Sequence, residues 1–214
     1  MAIHDPLCNL DRDPPNMPDT TRTFVALAVP DKLGEKLKRL QSLLAPEIPG
    51  TRWSETMPFH ATLAFLGDVA NTDLNDVCRT IAAATVGAEP LALRIEGPGV
   101  FPNPKRARVV WVGVTGAGIE GLGVLQKRIA DAVAGAGYPV DDSRFHPHVT
   151  LGRMKPGRVD RDLTPLLNHY RTWAAGGFTL DEIVAFASTL TPDGPIYTPL
   201  TRIPLGVRKQ EPKT

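Results

Sequence analysis

Cysteine is scarce in this chain, with Cys8 and Cys78 the only two in 214 residues. Two thiols cannot form a disulfide framework, and neither has a partner at metal-ligand spacing, so a secreted scaffold and a thiolate metal site are both excluded. An excess of one charge is also missing: 24 Lys and Arg oppose 23 Asp and Glu, for a formal net charge of +1. So balanced a chain lacks the basic surface that wraps duplex nucleic acid through many phosphate contacts, although a small anionic ligand needs only a local patch. No apolar run approaches eighteen residues, and the first twenty residues have neither a basic start nor a hydrophobic stretch. No membrane span or signal peptide is therefore expected, and the protein reads as cytoplasmic. The P-loop, the G-x-G-x-x-G fingerprint and the G-x-S-x-G elbow are absent as well.

What is present is an ordinary globular composition, 42% hydrophobic and 22% charged, in a length that suits one domain or two small lobes. Residues 1–21 hold four prolines and four aspartates without apolar periodicity and read as a disordered leader. The folded domain is expected over 22–206, with 207–214 as a polar tail.

Within the domain, Thr23 to Val29 reads as a buried strand. Asp31 is placed to cap a helix carrying Leu33, Leu37, Leu40 and Leu44 on one face, ended by Pro46. Phe59 to Leu66 reads as a strand closed by Gly67-Asp68, followed by a helix from Thr72 to Val86 with Val77, Cys78 and Ile81 inward. Leu91 to Ile95 reads as a strand and Pro98 to Pro104 as a loop. The order then begins again: strand Arg108 to Val114, helix Ile119 to Ala134 stopped by Gly135 and Gly137, strand Phe145 to Met154, a short helix from Thr164 to Tyr170, and a strand from Phe178 to Leu190. Ile196 to Leu205 forms a last strand. Corresponding elements lie close to 88 residues apart, so the chain reads as two duplicated β-α-β-α-β units. Without strict β-α alternation this predicts an α+β fold with antiparallel sheets and a cleft between two lobes.

One pattern recurs at the same offset. His60-Ala61-Thr62-Leu63 and His148-Val149-Thr150-Leu151 are both His-x-Thr-Leu, 88 residues apart. On a strand, residues i and i+2 share a face, so each copy presents an imidazole beside a hydroxyl while the intervening apolar residues face a core. A lone His in an apolar strand is more often structural, but two in equivalent contexts indicate one site with two imidazoles.

Histidine titrates near neutrality, so one imidazole can accept a proton while the other donates one. Threonine hydroxyls suit the non-bridging oxygens of a phosphoryl group, where charge is held through the transition state. Together they fit cleavage of an activated phosphodiester. A zinc site fits less well, because neither motif has a further ligand at a supporting interval. Asp68 reads as a turn residue beside Gly67, His146 as a structural residue next to Pro147, His169 as a surface residue and His4 as part of the leader. Among Arg153, Lys155, Arg158 and Arg161, Arg153 is the candidate for phosphate, since guanidinium binds it well. Strict alternation places it opposite His148 and Thr150, so its use requires a bulge near Gly152.

Beyond the two tetrapeptides, the chain carries Arg22-Thr23-Phe24-Val25-Ala26-Leu27, Phe59 to Gly67, Phe101-Pro102-Asn103-Pro104, Arg144 to Arg153 and Tyr197-Thr198-Pro199-Leu200. In these segments it resembles the two-histidine phosphoesterases, specifically RNA 2′,3′-cyclic phosphodiesterases of the LigT or ThpR type, over roughly Arg22 to Leu205. The resemblance implies a bilobal fold with pseudo-twofold symmetry and metal-independent hydrolysis of an RNA-terminal 2′,3′-cyclic phosphate to a 2′-phosphate. It also implies reversible 2′-5′ RNA ligase activity. It makes His60 the proton donor and His148 the acceptor, and puts Thr62, Thr150 and Arg153 at phosphate, with no cofactor and no metal. RNA 3′ ends or small cyclic-phosphate nucleotides are the implied partners of a monomer. Two alternatives stay open: a phosphodiesterase for small cyclic nucleotides or ADP-ribose cyclic phosphate, and a non-catalytic RNA-end binding module.

Overall fold

The computed structural model describes residues 19–55, 58–140, 145–154, 161–192 and 194–206. In chain order the elements are β1 (Thr20–Ala28), α1 (Asp31–Leu44), β2 (Thr51–Trp53), β3 (His60–Ala70), α2 (Leu74–Thr85), β4 (Leu91–Phe101), β5 (Val109–Thr115), α3 (Ile119–Gly135), β6 (His148–Met154), α4 (Thr164–His169), β7 (Ala174–Leu180), β8 (Glu182–Thr191) and β9 (Gly194–Pro204). Two antiparallel sheets result, ordered β3-β1-β8-β9 and β2-β6-β5-β4-β7. The mixed fold class read from the sequence is thus the one observed. Most of the predicted leader and the polar tail lie outside the described residues, but β1 starts at Thr20, two residues ahead of the expected Arg22.

The helices follow their apolar periodicity. Leu33, Leu37, Leu40 and Leu44 of α1, Val77 and Ile81 of α2, and Leu122, Leu125, Ile129 and Val133 of α3 are all buried in one continuous core. Cys78 packs against that core, and burial raises its thiol above the usual range, which suits a packing role. Asp31 does not cap α1. Pro30 occupies the cap position with extended ψ, and Asp31 is the first helical residue, where its charge meets the positive end of the helix dipole. The end of α3 matches the glycine signal: Gly135 is its last residue and Gly137 adopts φ 92°.

Several strand boundaries differ from the sequence reading, each for a reason of pairing. Gly67-Asp68 does not close β3, because the positive φ of Gly67 (74°) accommodates a bulge at Leu66 and pairing with β1 continues to Ala70. Asp68 is therefore a strand residue opposite Arg22, not a turn residue. Pro98 to Phe101 belong to β4 and not to a loop; a bulge at Gly97 lets Pro98 pair with Val112 after Glu96 pairs with Gly113. The expected strand Phe178 to Leu190 is two strands, parted at Asp181 and assigned to different sheets. Among the described residues, β6 begins at His148 and not at Phe145, and β2 joins it as an edge strand that periodicity over three residues cannot signal.

The duplication appears in the sheets with one exchange. One sheet places β3, β1 and β8 side by side; the other places β6, β5 and β4 in the same succession. The closing strand of each sequence unit therefore lies in the sheet of the other, so lobes and units do not coincide. Both sheets bury one face in the main core, and β3 and β6 approach each other across the cleft between them.

Candidate active site

Strand β3 supplies His60 and Thr62 to the cleft; β6 supplies His148 and Thr150. Alternation turns Ala61 and Val149 the other way, and both are completely buried. A bulge then follows each motif. In β3 the extra residue is Leu63 and in β6 it is Leu151, so two consecutive residues (Leu63-Ala64, Leu151-Gly152) are buried before the strand presents its open face again. This is the irregularity that Arg153 required, and it brings Arg153 into the wall of the same cleft. The equivalent step in β3 ends at Phe65, whose ring lies under the guanidinium of Arg22 at 4.6 Å.

The cleft holds about 260 Å³ and gathers His60, Thr62, His148, Thr150 and Arg153, together with Tyr197 of β9. Each imidazole is held in the same way. Nδ1 of His60 lies 3.3 Å from the carbonyl oxygen of Pro58, and Nδ1 of His148 lies 2.7 Å from that of His146. A carbonyl only accepts, so each Nδ1 is the donor and each Nε2 is left to exchange protons. Aromatic rings fix the planes. Phe24 (5.1 Å) and the edge-on Tyr197 (4.8 Å) pack on His60, and Phe101 meets His148 at 5.0 Å and 88°.

Burial lowers both imidazoles from their ordinary range. For His60 the Pro58 carbonyl opposes this and the charge of His148 adds to it. For His148 the His146 carbonyl opposes it, while His146 and Arg153 push it lower. Burial raises Tyr197, with Arg153 and Arg22 partly offsetting, so its phenol is a neutral donor at physiological pH.

The other sequence candidates stand elsewhere. His146 is exposed and precedes the strand; its carbonyl orients His148 while its ring packs on Trp111 at 4.8 Å. His169 is exposed and packs on Tyr170. Arg161 pairs with Glu47, and Lys155, Arg158 and His4 lie outside the described residues. Among the described residues, no group of three His, Cys, Asp or Glu is placed to hold a metal.

Sequence reasoning assigned no role to Tyr197, Arg52 or Trp53, all of which line the cleft. It also missed the buried Gln41 of α1, whose amide donates to the carbonyls of Leu151 (2.8 Å) and Ser54 (3.0 Å). The only signal for Gln41 was a polar residue next to a leucine stripe, which is easily read as the edge of the solvated face.

Residues 29–188 match the model of the 2′-5′ RNA ligase superfamily. A protein of Aquifex aeolicus named RNA 2′,3′-cyclic phosphodiesterase is 35% identical over 187 residues, 86% of this chain and 97% of that one. A protein of the same name from Methanothermobacter thermautotrophicus is 32% identical over 177 residues, 83% of this chain and 95% of the relative. The fold resembles the crystal structure of Escherichia coli LigT complexed with 3′-AMP, with a TM-score of 0.71 and 24% identity, over 87% of this chain and 99% of that one.

Proposed function

The chain belongs to the 2′-5′ RNA ligase superfamily, and on that premise we propose that it hydrolyses an RNA-terminal 2′,3′-cyclic phosphate to a 2′-phosphate by metal-independent acid and base catalysis. The observation that carries this reading is the pair of imidazoles in one cleft, each with Nδ1 tied to a carbonyl two residues upstream and a threonine beside it. The curated relatives, named for this activity over most of the chain, supply the substrate class.

In the proposed reaction His148 accepts a proton from water as the water oxygen bonds to phosphorus. The P–O3′ bond breaks and His60 delivers its proton to O3′, leaving the phosphate on O2′. Arg153 suits this direction: its charge adds a small push that keeps His148 neutral, after the larger effect of burial, and it is not among the groups acting on His60. Thr62, Thr150 and Arg153 hold the phosphoryl oxygens. A 5′-hydroxyl in place of water forms a 2′-5′ linkage by the same transfers, so ligation needs no additional group.

A binding module for RNA ends has no use for two oriented, titrating imidazoles, which favours the enzyme. The cleft by itself also accepts a small cyclic nucleotide, and turnover measured on both substrates side by side separates those readings. Phosphorus NMR of the product from a cyclic-phosphate-ended oligoribonucleotide, after exhaustive EDTA treatment, tests the proposal. A 2′-phosphate formed at an undiminished rate is expected. A 3′-phosphate overturns the assigned roles, and a loss reversed by zinc or manganese overturns metal independence.

A further inference from the structure

A second cavity, of about 580 Å³, opens beside the His148 end of the cleft. Its walls include Trp111, Trp173, Arg171, His146 and Glu96. The Trp111 ring lies across the sheet at Gly99, so close that a Cβ there would fall 2.3 Å from it. Phe101 at 5.0 Å and His146 at 4.8 Å hold it in place. Trp173 is anchored separately: its carbonyl accepts from the Gly97 amide at the β4 bulge, and its own amide donates to Tyr170. Among the described ring contacts none joins the two indoles, though both line this one cavity.

The counterpart at the end of the other sheet shows what is particular here. Ala28 pairs with His60 as Gly113 pairs with His148, and Pro58 takes the place of His146. A cavity lies beside Ala28 and Pro58 too, but no tryptophan lines it.

The chemistry of the walls selects the ligand. Glu96 accepts from Thr115 at 2.7 Å and from Arg94 at 3.0 Å, which keeps its carboxyl below the usual range and charged. A carboxylate in the same walls as Arg171 makes a poor phosphate site, whereas two indoles and a guanidinium suit the flat face of a nucleobase. The catalytic cleft, at about 260 Å³, is the smaller of the two cavities. We infer that the cavity between Trp111 and Trp173 is a nucleobase subsite for the residue preceding the cyclic end of an RNA strand. The inference rests on the proposed function and names the part of the substrate that lies outside the cleft.

The test compares 2′,3′-cyclic AMP with a trinucleotide ending in a cyclic phosphate, and with the same trinucleotide lacking its penultimate base. Trp173→Ala should raise KM for the trinucleotide about tenfold, within the range for loss of one stacked base, and leave the mononucleotide unchanged. Arg171→Ala, at an exposed turn, should act in the same direction more weakly and guards against misfolding of the tryptophan variant. In the wild type the abasic trinucleotide should show the Trp173→Ala defect, and combining the two should add nothing. Equal losses on mononucleotide and trinucleotide, or an abasic substrate turned over like the full one, overturn the subsite. If the wild type hydrolyses none of the three, the functional reading fails alone. Quenching of tryptophan fluorescence by a 3′-phosphate-ended trinucleotide then decides the subsite, and quenching that is absent or unchanged in Trp173→Phe overturns it.

Discussion

Gln41 on α1 and Leu151 on β6 are joined by a 2.8 Å hydrogen bond across 110 residues of sequence. Leu151 is the extra residue of the bulge that returns Arg153 to the cleft, and the same carbonyl also accepts from the Ser54 amide. A buried amide on a helix thus braces the backbone irregularity on which the arginine's position depends. Gln41→Leu should cost about 1–3 kcal/mol, because the Ser54 carbonyl loses its side-chain donor and the Leu151 carbonyl keeps only one of two. Urea denaturation reads that loss. Turnover of a cyclic phosphate by the folded variant should fall as Arg153 loses its setting, and an undiminished kcat would show that the brace serves stability alone.

His60→Ala and His148→Ala should each lower kcat by at least about 10², the low end for loss of a general acid or base. Both rings border the cleft, so near-native circular dichroism is expected. Near-wild-type hydrolysis by either soluble variant would remove that imidazole from the mechanism.

The threonines should matter less, since each removes one neutral donor. Thr62→Ala and Thr150→Ala are expected to slow turnover by about 10 to 10³, as for single oxyanion donors. Serine at either position should restore much of the rate. If serine is as poor as alanine, the methyl group and not the hydroxyl is what the site needs.

Arg153 should shape the pH profile as well as bind phosphate. Its charge helps to hold His148 below the ordinary imidazole range, after the larger effect of burial. A base works when neutral, so kcat/KM rises with pH through the pKa of His148. Removing the guanidinium raises that pKa, and Arg153→Gln should move the acid limb of the profile to higher pH while KM increases. An acid limb that stays in place would place Arg153 too far from His148 to act on it.

What the residues determined alone is what depends on neighbours a few positions away. The 3.6-residue stripe of α1 and α3, the i, i+2 pairing of each histidine with its threonine, and the need for a bulge before Arg153 were all legible because helix pitch and strand alternation are local geometry. The placement of the two duplicated His-x-Thr pairs, from which the proposed chemistry is argued, was legible for the same reason. The tertiary structure decided the rest. Which sheet receives β4 and β8 depends on pairing between strands far apart in the chain, and nothing in Leu91 to Ile95 or Phe178 to Leu190 records a partner. That exchange brings Phe186 and Phe101 to the two histidines, and the path of β9 brings Tyr197 over His60. Gln41, Arg52 and the Trp111–Trp173 cavity likewise acquire their surroundings from segments distant in sequence. Local periodicity sets the face a side chain occupies, and only long-range packing sets what stands opposite it.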